Sequence, residues 1–203
     1  MFIIGLTGGI ASGKSTITRL FGKYGIGHVD ADQVARDIVM PGEPVLEQLV
    51  ARYGKQLLQP DGQLNRRSLR HIIFSDEQER RWVEALMHPA IRTRMFDQLA
   101  RLQPPYALLV VPLLFEAGLD QQVDRVLVID IPEQLQRLRL KERDHCSDAQ
   151  INAILKAQLS RQERLSRADD VIDNSGEPEN RQLVQRIAQL DHYYRQLATN
   201  KQL

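Results

Sequence analysis

The residues best suited to chemistry lie near the start of the chain, where glycines surround one lysine and several hydroxyl side chains. Residues 8–15, GGIASGKS, match the pattern G-x-x-x-x-G-K-[S/T] in full. Glycines in this pattern let backbone N–H groups turn toward phosphate oxygens, and the N-terminus of a following helix adds partial positive charge. The segment therefore predicts a phosphate-binding loop for ATP, formed by Gly8, Gly9, Ile10, Ala11, Ser12, Gly13, Lys14, Ser15 and Thr16.

Three side chains at the end of this loop have separate expected roles. We expect Lys14 to bridge the β- and γ-phosphates, Ser15 to coordinate Mg²⁺ and Thr16 to donate a hydrogen bond to the α-phosphate. The alternative is a glycine-rich turn that caps a helix by chance, but a buried strand before the loop and a helix after it favour phosphate binding. ATP with Mg²⁺ is therefore the expected co-substrate, and no tightly bound organic cofactor is expected.

Two carboxylates follow the second apolar run of the sequence. Residues 27–29 lead into Asp30-Ala31-Asp32, which places both carboxylates at the carboxyl end of a predicted strand. Ligands of open parallel sheets bind beyond such strand ends. Either carboxylate could accept the proton of an acceptor hydroxyl or approach the Mg²⁺ shell, and either could instead cap the following helix. With one residue in each role, Asp32 is the expected functional carboxylate.

Arginines are concentrated in the stretch 133–167. Arg139 and Arg143 are four residues apart and therefore share one face of a helix. Such a face could close over phosphates. A solvated helix whose arginines pair with Glu142 and Glu163 is also compatible with the pattern, so the charge run alone leaves both interpretations open.

The apolar pattern indicates which scaffold positions these residues. Continuous apolar runs that end in turn or polar residues are typical of strands buried on both faces, and strands that alternate with helices indicate a parallel α/β sheet. Five strands are predicted, at Phe2–Thr7, Gly27–Val29, Ala107–Val111, Arg125–Ile129 and Val171–Asp173.

Helical patterns fill the remaining chain, including the long gap between Pro41 and Pro105. Proline is favoured in the first turn of a helix, so Pro89 is expected to begin a new one. The stretch 133–167 is also predicted to be helical, and an amphipathic helix is expected from about Glu179 to Leu197. The other predicted helices are Lys14–Lys23, Asp32–Val39, Val45–Tyr53, Arg67–Phe74, Asp76–Met87 and Pro89–Leu102.

Composition argues against several classes of protein. The 203 residues include 27 Lys plus Arg and 26 Asp plus Glu, so a net charge of +1 provides no overall field for nucleic acid or an anionic membrane. The single Cys146 allows no internal disulfide. No apolar stretch approaches the ~18 residues that span a bilayer, and no export signal is expected. We expect a cytoplasmic protein with small-molecule partners, as a monomer or weak homo-oligomer.

More particular sequence patterns lie outside the loop. In order along nearly the whole chain, they are Asp30-Ala31-Asp32 with Ala35-Arg36, His88-Pro89, Val111-Pro112-Leu113-Leu114-Phe115-Glu116, Arg139 with Arg143-Asp144, Gln158, and Ala168-Asp169-Asp170-Val171-Ile172-Asp173-Asn174. Together with the loop, this set resembles the dephospho-coenzyme A kinase family. The loop is common to many proteins, whereas the segments 111–116 and 168–174 are far more particular.

The resemblance implies that ATP phosphorylates the ribose 3′-hydroxyl of dephospho-coenzyme A, giving coenzyme A and ADP in the final step of coenzyme A synthesis. The implied fold is α/β, the P-loop kinase fold of nucleoside monophosphate kinases: a five-stranded parallel sheet flanked by helices, with a helical acceptor-binding insertion and a lid. The implied division is a nucleotide-binding core at 1–40, 103–138 and 168–203, an insertion at 41–102 and a lid at 139–167.

The resemblance also implies roles for individual residues. Asp32 would be the base or would orient the hydroxyl, while Asn174 would lie near the adenine. The implied catalytic set is Asp32, Lys14, Arg139 and Arg143, and the implied acceptor contacts are Thr7, Asp32, His88, Leu113 and Glu116. The strand before Pro112 lacks the terminal Asp that commonly anchors Mg²⁺, so Ser15 is the predicted metal ligand and Asp130 is interpreted as a strand-end residue.

The phosphate loop taken alone remains compatible with other functions. The chain could be a kinase of the same fold for a nucleoside monophosphate or a sugar acid. A GTP-dependent switch is disfavoured because the sequence lacks an Asn-Lys-x-Asp segment that would recognise guanine. A nucleic-acid motor is disfavoured by the neutral charge and small size. Substrate profiling would separate these alternatives.

Overall fold

Five strands of the described chain form one sheet, which positions the phosphate loop. The computed structural model describes residues 1–103, 105–177 and 179–201. Each strand lies within one residue of the range that its apolar run predicts, so the strand predictions and the parallel α/β sheet are confirmed. The strands are β1 Phe2–Gly8, β2 His28–Asp30, β3 Tyr106–Val110, β4 Arg125–Asp130 and β5 Asp170–Asp173.

The strand order is β2-β3-β1-β4-β5, which places β1 at the centre. Leu6 of β1 pairs with Val110 of β3 on one side and with Leu127 of β4 on the other, in parallel register. The carboxyl end of β1 therefore emerges between two neighbouring strands, where parallel sheets bind ligands. The loop that follows Gly8 begins at this point.

Helices account for most of the remaining chain. In the ranges that the structure describes they are α1 Lys14–Gly22, α2 Ala31–Asp37, α3 Pro44–Tyr53, α4 Arg66–Ser75, α5 Glu77–Arg101, α6 Glu133–Asp144, α7 Asp148–Lys156, α8 Arg161–Ser166 and α9 Arg181–Lys201. Two short 3₁₀ helices lie at Lys55–Leu57 and Leu119–Gln122. Within these described helices, none is long and apolar enough to cross a membrane.

The prediction of two helices that meet at Pro89 is wrong, because α5 continues through it. Proline cannot donate the usual hydrogen bond to the carbonyl four residues earlier, and an interior proline costs about 3 kcal/mol. Val83 before Pro89 and Met95 after it are both buried. Burial of each such side chain contributes about 1.5–3 kcal/mol, which is enough to keep both halves helical. His88 therefore lies exposed inside a helix and not at the start of one.

The chain forms two compact units, residues 1–29 with 99–203 and residues 30–98. The apolar core of the first unit joins the sheet to α1 and α9, and Tyr106 and Tyr194 lie fully buried within it. Tyr106 donates a hydrogen bond to Asp191 over 2.8 Å, which satisfies its buried hydroxyl. The division into core, insertion and lid stays a prediction, and residues 104, 178, 202 and 203 of its core ranges lie outside the described residues.

The second unit is helical, and a polar cluster links α3 to α5 within it. Glu79 accepts hydrogen bonds from Nε and Nη2 of Arg52, both over 2.7 Å, and from the Tyr53 hydroxyl over 2.6 Å. These bonds lower the pKa of Glu79 to about 2. The Arg52 guanidinium also lies 4.4 Å from the centre of the Trp82 ring, a cation–π distance. The cluster therefore fixes the two helices to each other at one point.

Candidate active site

The predicted phosphate loop is a tight turn between β1 and α1. Gly13 immediately precedes α1 and has a φ of +90°, a left-handed conformation that costs other residues about 1–2 kcal/mol. A Cβ atom at Gly13 would also lie 2.2 Å from Nδ2 of Asn174. Only glycine fits this position, and it allows α1 to begin at Lys14, as the loop pattern predicts.

The Lys14 ammonium lies against the first residues of the loop. Its Nζ atom donates hydrogen bonds to the carbonyl oxygens of Gly8 over 2.9 Å and Gly9 over 3.2 Å. The lysine of such loops reaches the β- and γ-phosphates. These bonds therefore hold the Lys14 ammonium beside Gly8 and Gly9, where the terminal phosphates of ATP are expected.

Three side chains from distant parts of the sequence bind the loop backbone. Oε1 of Gln158 accepts a hydrogen bond from the Ile10 N–H over 3.1 Å, and Nδ2 of Asn174 donates to the Ser12 carbonyl over 2.8 Å. Arg139 donates to the carbonyl of Ala11 over 3.2 Å and to that of Asn174 over 3.0 Å. The loop is thus bound by α6, by the segment between α7 and α8, and by the end of β5. The predicted adenine contact of Asn174 stays a prediction.

The two arginines that share a face of α6 have different surroundings. Arg139 reaches the loop, whereas Arg143 forms a salt bridge with Asp144 over 2.7 Å and leaves 62% of its side chain exposed. That contact raises the pKa of the Arg143 guanidinium. To reach a phosphate, the Arg143 side chain would have to leave Asp144. A role for Arg143 in catalysis therefore stays a prediction.

Three predicted acceptor residues of the first unit lie near the carboxyl ends of strands: Thr7 near the end of β1, and Leu113 and Glu116 after β3. The Thr7 hydroxyl is buried and donates to the Pro112 carbonyl over 3.2 Å, while Leu113 is exposed. Glu116 accepts a hydrogen bond from the Leu159 N–H over 2.8 Å. This bond links the segment after β3 to the segment before α8. The acceptor contacts of all three residues stay predictions.

Asp30 and Asp32 belong to the turn that starts α2. Oδ1 of Asp30 accepts hydrogen bonds from the N–H groups of Asp32 over 2.8 Å and Gln33 over 3.3 Å, so Asp30 is the helix cap. Asp32 lies in the first turn with its side chain exposed. Capping therefore uses Asp30 and not Asp32, and the functional role of Asp32 stays a prediction.

Sequence reasoning gave no separate role to two buried side chains that lie against Gly9. A Cβ atom at Gly9 would lie 1.9 Å from Nε2 of Gln136 and 2.9 Å from Nη2 of Arg164. Gln136 is 3% exposed and Arg164 is 7% exposed. The signal was indirect: a second glycine directly after Gly8 is the residue that permits another group to approach the backbone closely.

Three observations bear on a divalent cation. Among the residues that the structure describes, no group of three or more His, Cys, Asp or Glu side chains is arranged to hold a metal ion. Asp130 receives two hydrogen bonds from Arg161, over 2.8 and 2.6 Å, one to each carboxylate oxygen. Ser15 is exposed in the first turn of α1. A single serine hydroxyl as the protein ligand fits Mg²⁺, because this ion usually keeps several waters and is held mainly by substrate phosphates.

Comparison with known proteins gives consistent matches over almost the full chain. The family model described as dephospho-CoA kinase matches residues 2–180. A dephospho-CoA kinase from Yersinia pestis is 48% identical over 201 residues, which cover 99% of this chain and 97% of that protein. The crystal structure of TT1252 from Thermus thermophilus has a TM-score of 0.80 and 30% identity, covering 95% of this chain and 96% of that one. A dephospho-CoA kinase from Campylobacter jejuni has a TM-score of 0.70 and 26% identity, covering 94% and 95%.

Proposed function

The chain belongs to the dephospho-CoA kinase family, and on this premise we propose how its residues divide the work of phosphoryl transfer. It is a kinase that uses ATP to phosphorylate the ribose 3′-hydroxyl of dephospho-CoA, giving coenzyme A and ADP. The observation that carries this conclusion is the family match over residues 2–180, which includes the loop, both aspartates, the arginine-rich helices and β5.

The phosphate loop is proposed to bind ATP through its backbone N–H groups and Lys14. Phosphoryl transfer needs little covalent help from a protein, because positioning and charge stabilisation account for most of the acceleration. The position of the Lys14 ammonium at Gly8 and Gly9 supports this role. A bound phosphate would replace the two carbonyls as its partner. Gly8 to Thr16 and Asn174 form the proposed ATP site.

The acceptor is proposed to bind through Thr7, Asp32, His88, Leu113 and Glu116, and the predicted helical insertion at 41–102 is proposed to hold it. The exposed carboxylate of Asp32, which α2 does not need as a cap, supports its role as base or hydroxyl-orienting group. His88 and Leu113 are also exposed and can be reached by a ligand.

Mg²⁺ is proposed to accompany ATP, with Ser15 as the protein ligand. When bound, the cation neutralises charge on the phosphates. We also propose that the enzyme works in the cytoplasm as a monomer or weak homo-oligomer, without nucleic acid. The near-zero net charge supports the last point.

Acceptor choice is the most direct test of the function. We expect kcat/KM with dephospho-CoA to exceed that with AMP or adenosine by at least about a hundredfold, a difference of about 2.7 kcal/mol in transition-state binding. The reason is that the predicted helical insertion at 41–102 offers more contact surface than a mononucleotide needs. ADP release with saturating ATP measures it. Equal rates with AMP would contradict the acceptor assignment, and a preference for GTP would contradict the nucleotide assignment.

Removing Arg139 is expected to lower kcat more than it weakens ATP binding. A guanidinium at the loop contributes most when charge develops on the transferred phosphoryl group, and loss of one such donor costs about a hundredfold in kcat. Steady-state kinetics of Arg139→Ala and Arg143→Ala provide the measurement. If Arg139→Ala raised only the KM for ATP, its role would be ground-state binding.

A further inference from the structure

The arginines of the stretch 133–167 fall into two groups according to their partners. Four form salt bridges with carboxylates: Arg137 with Glu133, Arg143 with Asp144, Arg161 with Asp130 and Arg167 with Asp120. Among the described residues, Arg139 and Arg164 form no salt bridge, and both lie at the phosphate loop. In the described part of the stretch 133–167, the two arginines without a salt bridge are therefore the two beside the loop.

Arg164 is the most deeply buried of these six arginines, with 7% of the residue exposed. Burial lowers the pKa of its guanidinium, although nearby Glu116 and Asp130 oppose that effect. Glu116 is bound to the Leu159 N–H, and Asp130 to Arg161. Arginine keeps its charge in proteins, and a buried charge without a hydrogen-bonded counter-ion is costly. The site therefore favours an anion that the chain itself does not supply.

The geometry around Arg164 indicates where that anion would bind. Its Nη1 atom donates to the Leu159 carbonyl, which fixes the plane of the guanidinium. Its Nη2 atom lies 2.9 Å from the position that a Cβ of Gly9 would occupy. The Lys14 ammonium binds the carbonyl of the same glycine. Arg164 and Lys14 thus both approach Gly9, beside which the terminal phosphates are expected.

We propose that Arg164 binds the γ-phosphate of ATP together with Lys14, and that Gly9 lacks a side chain so that the guanidinium can approach the loop. This inference rests on the proposed function. A planar guanidinium can donate two parallel hydrogen bonds to a phosphate, whereas lysine acts as a point charge. The alternative is a purely structural arginine that holds the Leu159 carbonyl, a task that a neutral donor could perform.

The test compares the affinities of the full-length protein for ADP and for a non-hydrolysable ATP analogue, both with Mg²⁺. Arg164→Gln keeps a donor for the Leu159 carbonyl but removes the charge. We expect this variant to bind the ATP analogue about tenfold to a hundredfold more weakly, as loss of a charged hydrogen bond predicts, while ADP affinity changes less than about threefold. Arg164→Lys should lose less. Arg137→Ala, which removes an arginine paired with Glu133, should keep the ratio of the two affinities.

The outcomes separate binding from structure. The proposal would be overturned if Arg164→Gln bound the ATP analogue and ADP with the same ratio of affinities as the wild-type protein, whether both affinities fell equally or neither changed. Melting temperatures show whether each variant is folded. If Arg164→Gln does not fold, the ratio in Arg164→Lys decides, and an unchanged ratio there overturns the proposal. ADP release by the wild-type protein with dephospho-CoA is measured separately, so failure of the proposed function would be visible in that assay alone.

Discussion

Replacing Lys14 with alanine is expected to reduce ATP turnover with dephospho-CoA by about a thousandfold or more. The ammonium lies at Gly8 and Gly9 and is expected to follow the phosphoryl group through transfer, because charge develops there. Loss of a single preorganised donor to such charge costs about 10²–10³ in kcat, and Lys14 also binds the ground state. The effect on kcat/KM should therefore exceed that on kcat.

The fold should survive this substitution, which keeps the interpretation of lost activity simple. Lys14 is half-buried and donates hydrogen bonds to the carbonyls of Gly8 and Gly9, and it is not part of the apolar core between the sheet and α1. Lys23→Ala is a matched control, because Lys23 lies just after α1, pairs with Glu179 and is 57% exposed. Both variants should melt near the wild-type temperature. Near-normal ADP release by folded Lys14→Ala would refute the assigned role.

The sheet and the loop could be predicted from sequence because short-range patterns determine them. A strand of a parallel sheet is covered on both faces, so β1, β3 and β4 are continuous apolar runs and are detectable as such. The loop pattern depends on a backbone conformation that glycine adopts most readily, as the left-handed φ of Gly13 shows. In both cases the sequence signal lies within a few residues, although the strands themselves pair with partners more than 100 residues away in the sequence.

The contacts around the loop could not be predicted in the same way. Arg139, Arg143 and Arg164 have the same chemistry, and their partners depend on how α6 and α8 are placed against the loop. No local rule distinguishes an arginine that has a carboxylate within reach from one that has none. Pro89 shows the same limit, since tertiary burial of Val83 and Met95 overrides a strong local signal for a helix start.

The pair Asp30 and Asp32 shows how a structure can sharpen a sequence hypothesis. Both residue types cap helices well, so the sequence could not assign the cap. The hydrogen bonds from the Asp32 and Gln33 N–H groups to Asp30 assign it. A loss of activity after a substitution at Asp32 therefore cannot be explained by loss of the helix cap. A substitution at Asp30 shows what a change at the cap itself does.

Asp32→Asn is expected to lower kcat by ~10²- to 10⁴-fold, the usual scale of general acid–base assistance. Asparagine keeps the size and shape of the side chain but cannot take the proton of the 3′-hydroxyl. Phosphoryl transfer often has a loose transition state in which the proton leaves late, so the loss should lie near the lower end and reflect lost orientation and charge. ATP affinity should change little.

Asp30→Asn is the matched control for this experiment, because asparagine caps a helix about as well as aspartate. The control should retain its kcat and its melting temperature, since the acceptor oxygen that receives the Asp32 and Gln33 N–H groups is preserved. Both variants are assayed by ADP release with saturating ATP and dephospho-CoA. If Asp32→Asn retained most of its kcat, or if the two variants lost activity equally, the catalytic carboxylate would have to be sought elsewhere. A loss confined to Asp32→Asn would assign the base or orienting role to that carboxylate, since the cap is intact in both proteins.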